Sequence, residues 1–454
     1  MVARVVIAAP GSNHGKTTLA TGLLAAFAAR GVRVAPFKVG PDYIDPGYHA
    51  LAAGRPGRNL DPVLSGESLV APLFRHGAAG ADLAIVEGVL GLFDGRAGQG
   101  DTGSTAHVAG LIDAPVIMVV DVRGQGRSVA ALLRGFDGFG PARVAGVILN
   151  RVGSARHEEI LRAACAEVPM PVLGAMPRDA DLTVPSRHLG LVPAAERHTT
   201  GAMLAKLADV VTRHVDLDRI HRIARGAGPP VALPWAPPAA APAYRPVVAV
   251  AGGAAFTFSY AENVELLAAA GAEVRVFDPL TDERLPPGTA ALVVGGGFPE
   301  VYAAELSANT PLRSEVRELL SAGAPAAAEC AGMLWLGRSL DGAPMCGVLD
   351  VTAEMTGRLR LGYRDAIAAT ASVLAPAGTR VTGHEFHRTV VHRSAESAPA
   401  WRWDGSAPDG IVAGNVHASY LHLHWAAYPS VPHRLVDAAR RHGAGARAAV
   451  RQRH

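Results

Sequence analysis

Cysteine is scarce: Cys165, Cys330 and Cys346 are the only three in 454 residues. Three thiols cannot build a disulfide framework for a chain of this length, and their spacing matches no zinc template. The expected setting is therefore reducing and cytoplasmic. No segment approaches the roughly 20 apolar residues that span a bilayer. The apolar part of the opening MVARVVIAAPG is too short for a signal peptide. Net charge is also small, 43 Lys and Arg against 40 Asp and Glu, or +3. No dense Lys/Arg run of the kind that tracks nucleic acid occurs, so neither nucleic acid nor a membrane is an expected partner. Arg440, Arg441, Arg447, Arg451 and Arg453 read as a solvated basic end. With 49% hydrophobic and only 18% charged residues, disorder is excluded. The length calls for more than one core.

What is present is alternation. Apolar, β-branched runs at Arg4 to Ala9, Val32 to Phe37, Asp82 to Glu87, Pro115 to Asp121 and Val144 to Asn150 are separated by helix-like stretches, the first from Lys16 to Arg30. Such alternation predicts a parallel sheet covered on both faces, an α/β class, with ligands beyond the carboxyl ends of the strands. Gly226 to Pro246, GAGPPVALPWAPPAAAPAYRP, reads as a semi-rigid linker between a first domain, 1–225, and a second, 247–440. There a second alternation begins. Strands are expected at Val247 to Ala251, Glu273 to Phe277, Ala290 to Val294 and Pro325 to Ala328, with helices at Tyr260 to Ala270, at Pro311 to Ala322 and from Met333.

Pro10 to Thr18 read PGSNHGKTT between an apolar strand and a helix. The backbone N–H groups of such a turn, here with Gly11 and Gly15, encircle phosphate oxygens, and the helix N-terminus adds partial positive charge. Lys16 supplies a point charge and Thr17 a hydroxyl for Mg²⁺, with Thr18 beside it. Two acidic clusters follow strand ends: KVGPDYIDPGYH from Lys38 to His49, and EGVLGLFDG from Glu87 to Gly95. Glu87 and Asp45 fit a magnesium site. Lys38, at the end of the second strand, is a candidate nucleotide-binding residue; it equally suits a solvated strand end, and Asp42, Asp45 and Asp94 equally suit turn or cap positions. The Asn150 amide suits an adenine edge or a turn.

Cys330 stands in APAAAECAGMLWLG, where a strand of small residues turns sharply into a helix, the form of a nucleophile elbow. A helix N-terminus is expected to lower the thiol pKa. Its base is sought in GNVHASYLHLHW, where alternation would put His422 and His424 on one strand face. The amides of Gly296 and Gly297 in GGGFPE, with that of Ala331, suit an oxyanion. Cys165 and Cys346 lack such context and read as packing residues.

Together these motifs resemble a known combination. The first half is similar to dethiobiotin-synthetase-like P-loop proteins and the second to class I glutamine amidotransferases. Their fusion, with KVGPDYIDPGYH, EGVLGLFDG, RNLDP, GGFPE, AECAG, GHEFHR and ASYLHLH, resembles the cobyrinate or hydrogenobyrinate a,c-diamide synthases of cobalamin biosynthesis. That resemblance implies glutamine hydrolysis at Cys330 with His422 as base, and a sheltered passage of ammonia to the synthetase half. It implies ATP and Mg²⁺ at Lys16, Thr17 and their neighbours, and a corrin carboxylate near Asp42, Tyr43, Ile44 and Asp94. His424 stands where an acidic residue usually follows the base by two positions, so a Cys330–His422 dyad is implied. A homodimer is compatible with all of this. Related readings stay open: a cobyric acid or nickel-sirohydrochlorin amidating enzyme, or a partitioning-type ATPase with a degenerate amidotransferase half.

Overall fold

The computed structural model describes residues 2–178, 186–187, 190–191, 200–228, 232–240, 244–394, 396–405 and 407–451. Residues 229–231 and 241–243 of the expected linker, and Arg453 of the basic tail, lie outside them. The chain divides into two compact units, Met1–Ala236 and Pro237–His454.

The first unit is built on seven strands: β1 (Ala3–Ala8), β2 (Val34–Val39), β3 (Arg58–Leu60), β4 (Leu83–Glu87), β5 (Val116–Asp121), β6 (Val144–Val152) and β7 (Val172–Pro177). All pair in parallel, in the order β3-β2-β4-β1-β5-β6-β7. Strands β1, β2 and β4 are buried at every position, as their unbroken apolar runs require of a sheet covered on both faces. Helices α1 (Lys16–Ala29), α2 (Asp45–Ala53), α3 (Glu67–Gly77), α4 (Thr105–Leu111), α5 (Ser128–Phe136), α6 (Ala155–Cys165), α7 (Thr200–His214) and α8 (Leu217–Arg225) connect or cover them, and β8 (Ser186–Arg187) pairs with β9 (Gly190–Leu191). Gly22 lets α1 and α7 close up: a Cβ there would come within 2.7 Å of Val211 and 2.9 Å of Leu207.

In the second unit β10 (Val247–Ala251), β11 (Glu273–Phe277), β12 (Thr289–Val294), β13 (Ala326–Glu329), β19 (Ile411–Ala413) and β20 (Val416–Ser419) form one sheet, ordered β11-β10-β12-β13-β20-β19. Only β19 runs antiparallel. Helices α9 (Ala261–Ala269), α10 (Ala303–Ala308), α11 (Thr310–Ser321), α12 (Ala331–Leu336) and α13 (Ser430–Arg451) accompany it. A second sheet is unexpected from the sequence. It joins β14 (Ser339–Leu340), β15 (Ala343–Pro344), β16 (Val351–Ala368), β17 (Arg380–Arg393) and β18 (Trp401–Arg402), and a long antiparallel β16–β17 ribbon dominates it.

Candidate active sites

In the first unit β1, β2 and β4 lie side by side, so the loops that follow them meet at one sheet edge. After β1 the chain enters α1 through Gly15, at φ 92°, a left-handed conformation that suits glycine. A side chain there would also strike the Asn150 amide, at 2.2 Å. Over Gly11, by contrast, a Cβ would meet nothing within 4 Å, which leaves open space above the loop. Asn150 has a structural task at the end of β6. Its Nδ2 donates to the His14 carbonyl at 2.8 Å and its Oδ1 accepts the Arg151 N–H, so it braces the loop from β6. A cavity of about 590 Å³ opens beside it, lined by Ser12, Asn13, His14, Asp121, Arg123 and Gly124.

Lys16 Nζ donates to the carbonyls of Gly11 and Leu90 and so spans the loops after β1 and β4. Burial and the neighbouring Lys38 charge push its ammonium down to about 8. Thr17 Oγ1 donates to Glu87 Oε1 at 2.6 Å and lies 3.2 Å from Asp45 Oδ2. Thr18 is half-buried beside it. Lys38 is not solvated: its buried Nζ sits 2.7 Å from Asp45 Oδ2, 3.0 Å from Glu87 Oε1 and 3.9 Å from Asp42 Oδ2. Burial opposes that ammonium, but the three carboxylates outweigh it and raise its pKa. Burial likewise opposes the Glu87 carboxylate, yet Lys38, His49 and Thr17 together hold it below the usual range.

Asp42 and Asp94 shape turns. Asp42 Oδ1 accepts from the amides of Ile44 and Asp45, and Asp94 Oδ2 from that of Gly91. Tyr43 and Ile44 are buried. Among the described residues no group of three or more His, Cys, Asp and Glu is arranged to hold a metal ion. The hydroxyl and two carboxylates at this edge amount to a partial oxygen set of the kind that completes itself with phosphate and water.

In the second unit β13 ends at Glu329 and the chain turns at Cys330, with φ 50° and ψ −105°, directly into α12. This positive φ at a non-glycine residue is the strain of an elbow. It is held by the Cys330 N–H, which donates to the Ser419 carbonyl at 2.7 Å, and by Gly332, whose closeness to the Val294 carbonyl (2.3 Å from a Cβ) admits no side chain. Cys330 is 4% exposed. The thiol pKa is not lowered, as the helix terminus suggested. Burial pushes it up and the Glu300 charge adds to this, against the Ala331 N–H. Only a short helix end faces the sulfur, and desolvation is the larger effect.

His422 and His424 do not share a strand. Strand β20 stops at Ser419, and His422 pairs back to back with His384 of β17, each N–H donating to the other's carbonyl at 2.9 Å. His424 turns instead toward α9, its ring 4.5 Å from that of Tyr260 and its Nε2 3.9 Å from Glu262 Oε2. The GGGFPE loop also differs from expectation. The Gly296 amide is committed to the Phe258 carbonyl at 3.2 Å, so its contribution is space: a Cβ there would lie 2.5 Å from His422 Cε1. Gly297 packs on the Ala255 carbonyl, which a Cβ would meet at 2.0 Å.

Residues 5–192 match the CobQ/CobB/MinD/ParA nucleotide binding domain, and residues 247–429 match the CobB/CobQ-like glutamine amidotransferase domain. The hydrogenobyrinate a,c-diamide synthase of Streptomyces coelicolor is 56% identical, over 97% of this chain and 98% of that one. That of Mycobacterium tuberculosis strain H37Rv is 57% identical over 96% and 97%. The cobyrinate a,c-diamide synthase of Gloeobacter violaceus is 45% identical over 93% of each. The chain belongs to the a,c-diamide synthase family. As a member it is a glutamine-dependent amidating ligase with a nucleotide-binding domain, acting on small molecules. Among its described residues no helix is long and apolar enough to cross a membrane.

Three residues beside the sites of this diamide synthase family member escaped the sequence reading. His49, fully buried on α2, brings Nε2 to 2.7 Å from Glu87 Oε2. Its partner lies on β4, so no local spacing signals the contact. Asn59 Nδ2 donates to the carbonyls of Gly40 and Asp42 and fixes the loop after β2. Glu329, next to the nucleophile, places Oε2 3.6 Å from His422 Nδ1.

Proposed function

We propose that this protein amidates the a and c acetate carboxylates of hydrogenobyrinic or cobyrinic acid in cobalamin biosynthesis, consuming ATP and taking nitrogen from glutamine. One observation carries the reading. A single chain holds a phosphate loop with a buried Lys–carboxylate cluster in one unit and a strained elbow thiol with a histidine at the same sheet edge in the other. The relatives named for hydrogenobyrinate are 52–57% identical and those named for cobyrinate 40–45%, which favours the metal-free ring.

A carboxylate resists ammonia because its carbonyl carbon is electron-rich. Moving the γ-phosphoryl of ATP onto it gives an acyl phosphate, whose C–O bond then breaks as the C–N bond forms, releasing phosphate. Lys16 and the loop amides offset charge on the transferred group. Thr17, Asp45 and Glu87 would hold Mg²⁺, which supplies further neutralisation of the phosphates. Asp42, Tyr43, Ile44 and Asp94 border the acceptor. In the second unit Cys330 sulfur attacks the glutamine carboxamide carbon and its proton passes to His422. His422 returns that proton to the departing nitrogen, which leaves as ammonia, and then activates water to hydrolyse the thioester, freeing glutamate and the thiol. The amides of Gly297 and Ala331 serve the oxyanion. A reducing, cytoplasmic setting suits three free, buried cysteines.

The test is Cys330→Ala. Glutamine-dependent amidation is expected to vanish while ammonia-dependent amidation continues, as read by product mass with metal-free and cobalt-containing rings. Equal loss with both nitrogen sources would refute the division of labour.

A further inference from the structure

The buried His422 has a carboxylate partner from an unexpected place in the chain. We propose that Glu329, the residue immediately before the nucleophile, is the positioning residue that orients His422 and balances the imidazolium formed during glutamine hydrolysis. This rests on the reading of Cys330 as nucleophile and His422 as base.

The geometry fits that task on both oxygens. Glu329 Oε2 lies 3.6 Å from His422 Nδ1, and Oε1 accepts the Leu423 N–H at 3.4 Å. One carboxylate thus faces the ring with one oxygen and holds the backbone beside it with the other. A separation of 3.6 Å is longer than a hydrogen bond, as is common before substrate closes such a site. The His422 side chain is fully buried and that of Glu329 only 15% exposed, so the attraction is little screened. Commitment of Nδ1 to the carboxylate leaves the other ring nitrogen to exchange the proton with sulfur. His424 has different neighbours in Tyr260 and Glu262, and so does not stand in for the carboxylate.

The resting thiol gives the carboxylate its purpose. Burial keeps Cys330 protonated, and the Glu329 charge itself adds to that. Sulfur therefore becomes nucleophilic only as its proton moves to His422. A negative charge beyond the ring favours that transfer, whereas it would hinder a standing thiolate.

Glu329→Gln separates charge from shape. The glutamine oxygen still accepts from Leu423, but its NH₂ faces Nδ1 and enforces the wrong tautomer. We expect glutamate release by the full-length protein to lose about 10²- to 10⁴-fold in kcat, by analogy with the carboxylate-to-amide change in a serine protease triad. KM for glutamine should change little and ammonia-dependent amidation should be intact. Glu329→Asp should recover part of the loss. Wild-type kcat in Glu329→Gln, with Cys330→Ala inactive, would overturn the positioning role and leave the nucleophile reading standing. Glutaminase activity surviving in Cys330→Ala would overturn that reading itself. Loss of ammonia-dependent amidation in Glu329→Gln, without recovery in Glu329→Asp, would make Glu329 a folding residue and also end the proposal.

Discussion

Gly296 and His422 are in contact range only because Gly296 has no side chain: a Cβ would sit 2.5 Å from His422 Cε1 and 3.1 Å from the Phe258 Cβ. Neither neighbour's backbone can retreat easily, so the strain falls on the side chains. His422 is fully buried and pinned to His384 through two backbone hydrogen bonds, and Phe258 is bonded to Gly296 through both backbone groups. Gly296→Ala should therefore displace the imidazole rather than the loop. Misplacement of a catalytic group by about 1 Å costs on the order of 10²-fold. We expect glutamate release to fall by about that factor, with ammonia-dependent amidation unchanged. Full glutaminase activity in the variant would show that the ring does not work from this position.

Burial and the Lys38 charge lower the Lys16 ammonium to about 8 in the free protein. A polyphosphate bound in the loop adds negative charge beside Nζ and raises that pKa. At about pH 8.5 the free protein is then partly deprotonated and the complex is not, so nucleotide binding should take up protons. Well below pH 8 both states are protonated and the uptake should vanish. Calorimetry in two buffers of different ionisation enthalpy measures this directly. Lys16→Arg, which stays charged throughout, should bind without uptake. Identical uptake in Lys16→Arg would assign the proton to another group and remove Lys16 from the phosphate site.

Much of this architecture was legible before any coordinates. The parallel strands announced themselves because burial on both faces demands unbroken apolar runs, and VVIA in β1 or LAIV in β4 can be little else. The β16–β17 ribbon was not legible. Through TGRLRLGYR the ribbon is mainly exposed, with Leu361 at 55%, so the period-two pattern that marks a half-buried strand disappears. Arg4 is a smaller case. It sits 1% exposed in an otherwise apolar strand because its guanidinium finds the carbonyls of Ile112 and Gly228, partners remote in sequence. At the sites, residue type and spacing pointed to Lys16, Thr17, Glu87 and Cys330. They could not show that Lys38 lies buried among three carboxylates, nor that His422 leaves its strand. Glu329 was hidden by strand alternation, which sends neighbours to opposite faces, until the elbow at Cys330 broke that rule.

The pH dependence of stability in the second unit should carry the mark of Asp409. Enclosure pushes its carboxyl up to about 7, with the nearby Glu385 charge adding to the effect, against the Tyr420 and Leu421 N–H groups and Arg393. In the unfolded chain the same group titrates near 3.9. Because the folded pKa is the higher one, the unfolded state releases its proton first as pH rises. Between about pH 4 and 7 the folded form holds more protons, so stability declines across that window and the full cost is present above it. Asp409→Asn cannot ionise, yet its side-chain oxygen can still accept the Tyr420 N–H, now 3.1 Å from Asp409 Oδ2. The variant should therefore be more stable than the wild type at pH 8, by at most a few kcal/mol, read as a higher Tm. The two should converge near pH 4, where Asp409 is already neutral in the folded protein. A variant destabilised equally at both pH values would mean that the ionised carboxylate is well accommodated, and that its hydrogen bonds outweigh the burial of its charge.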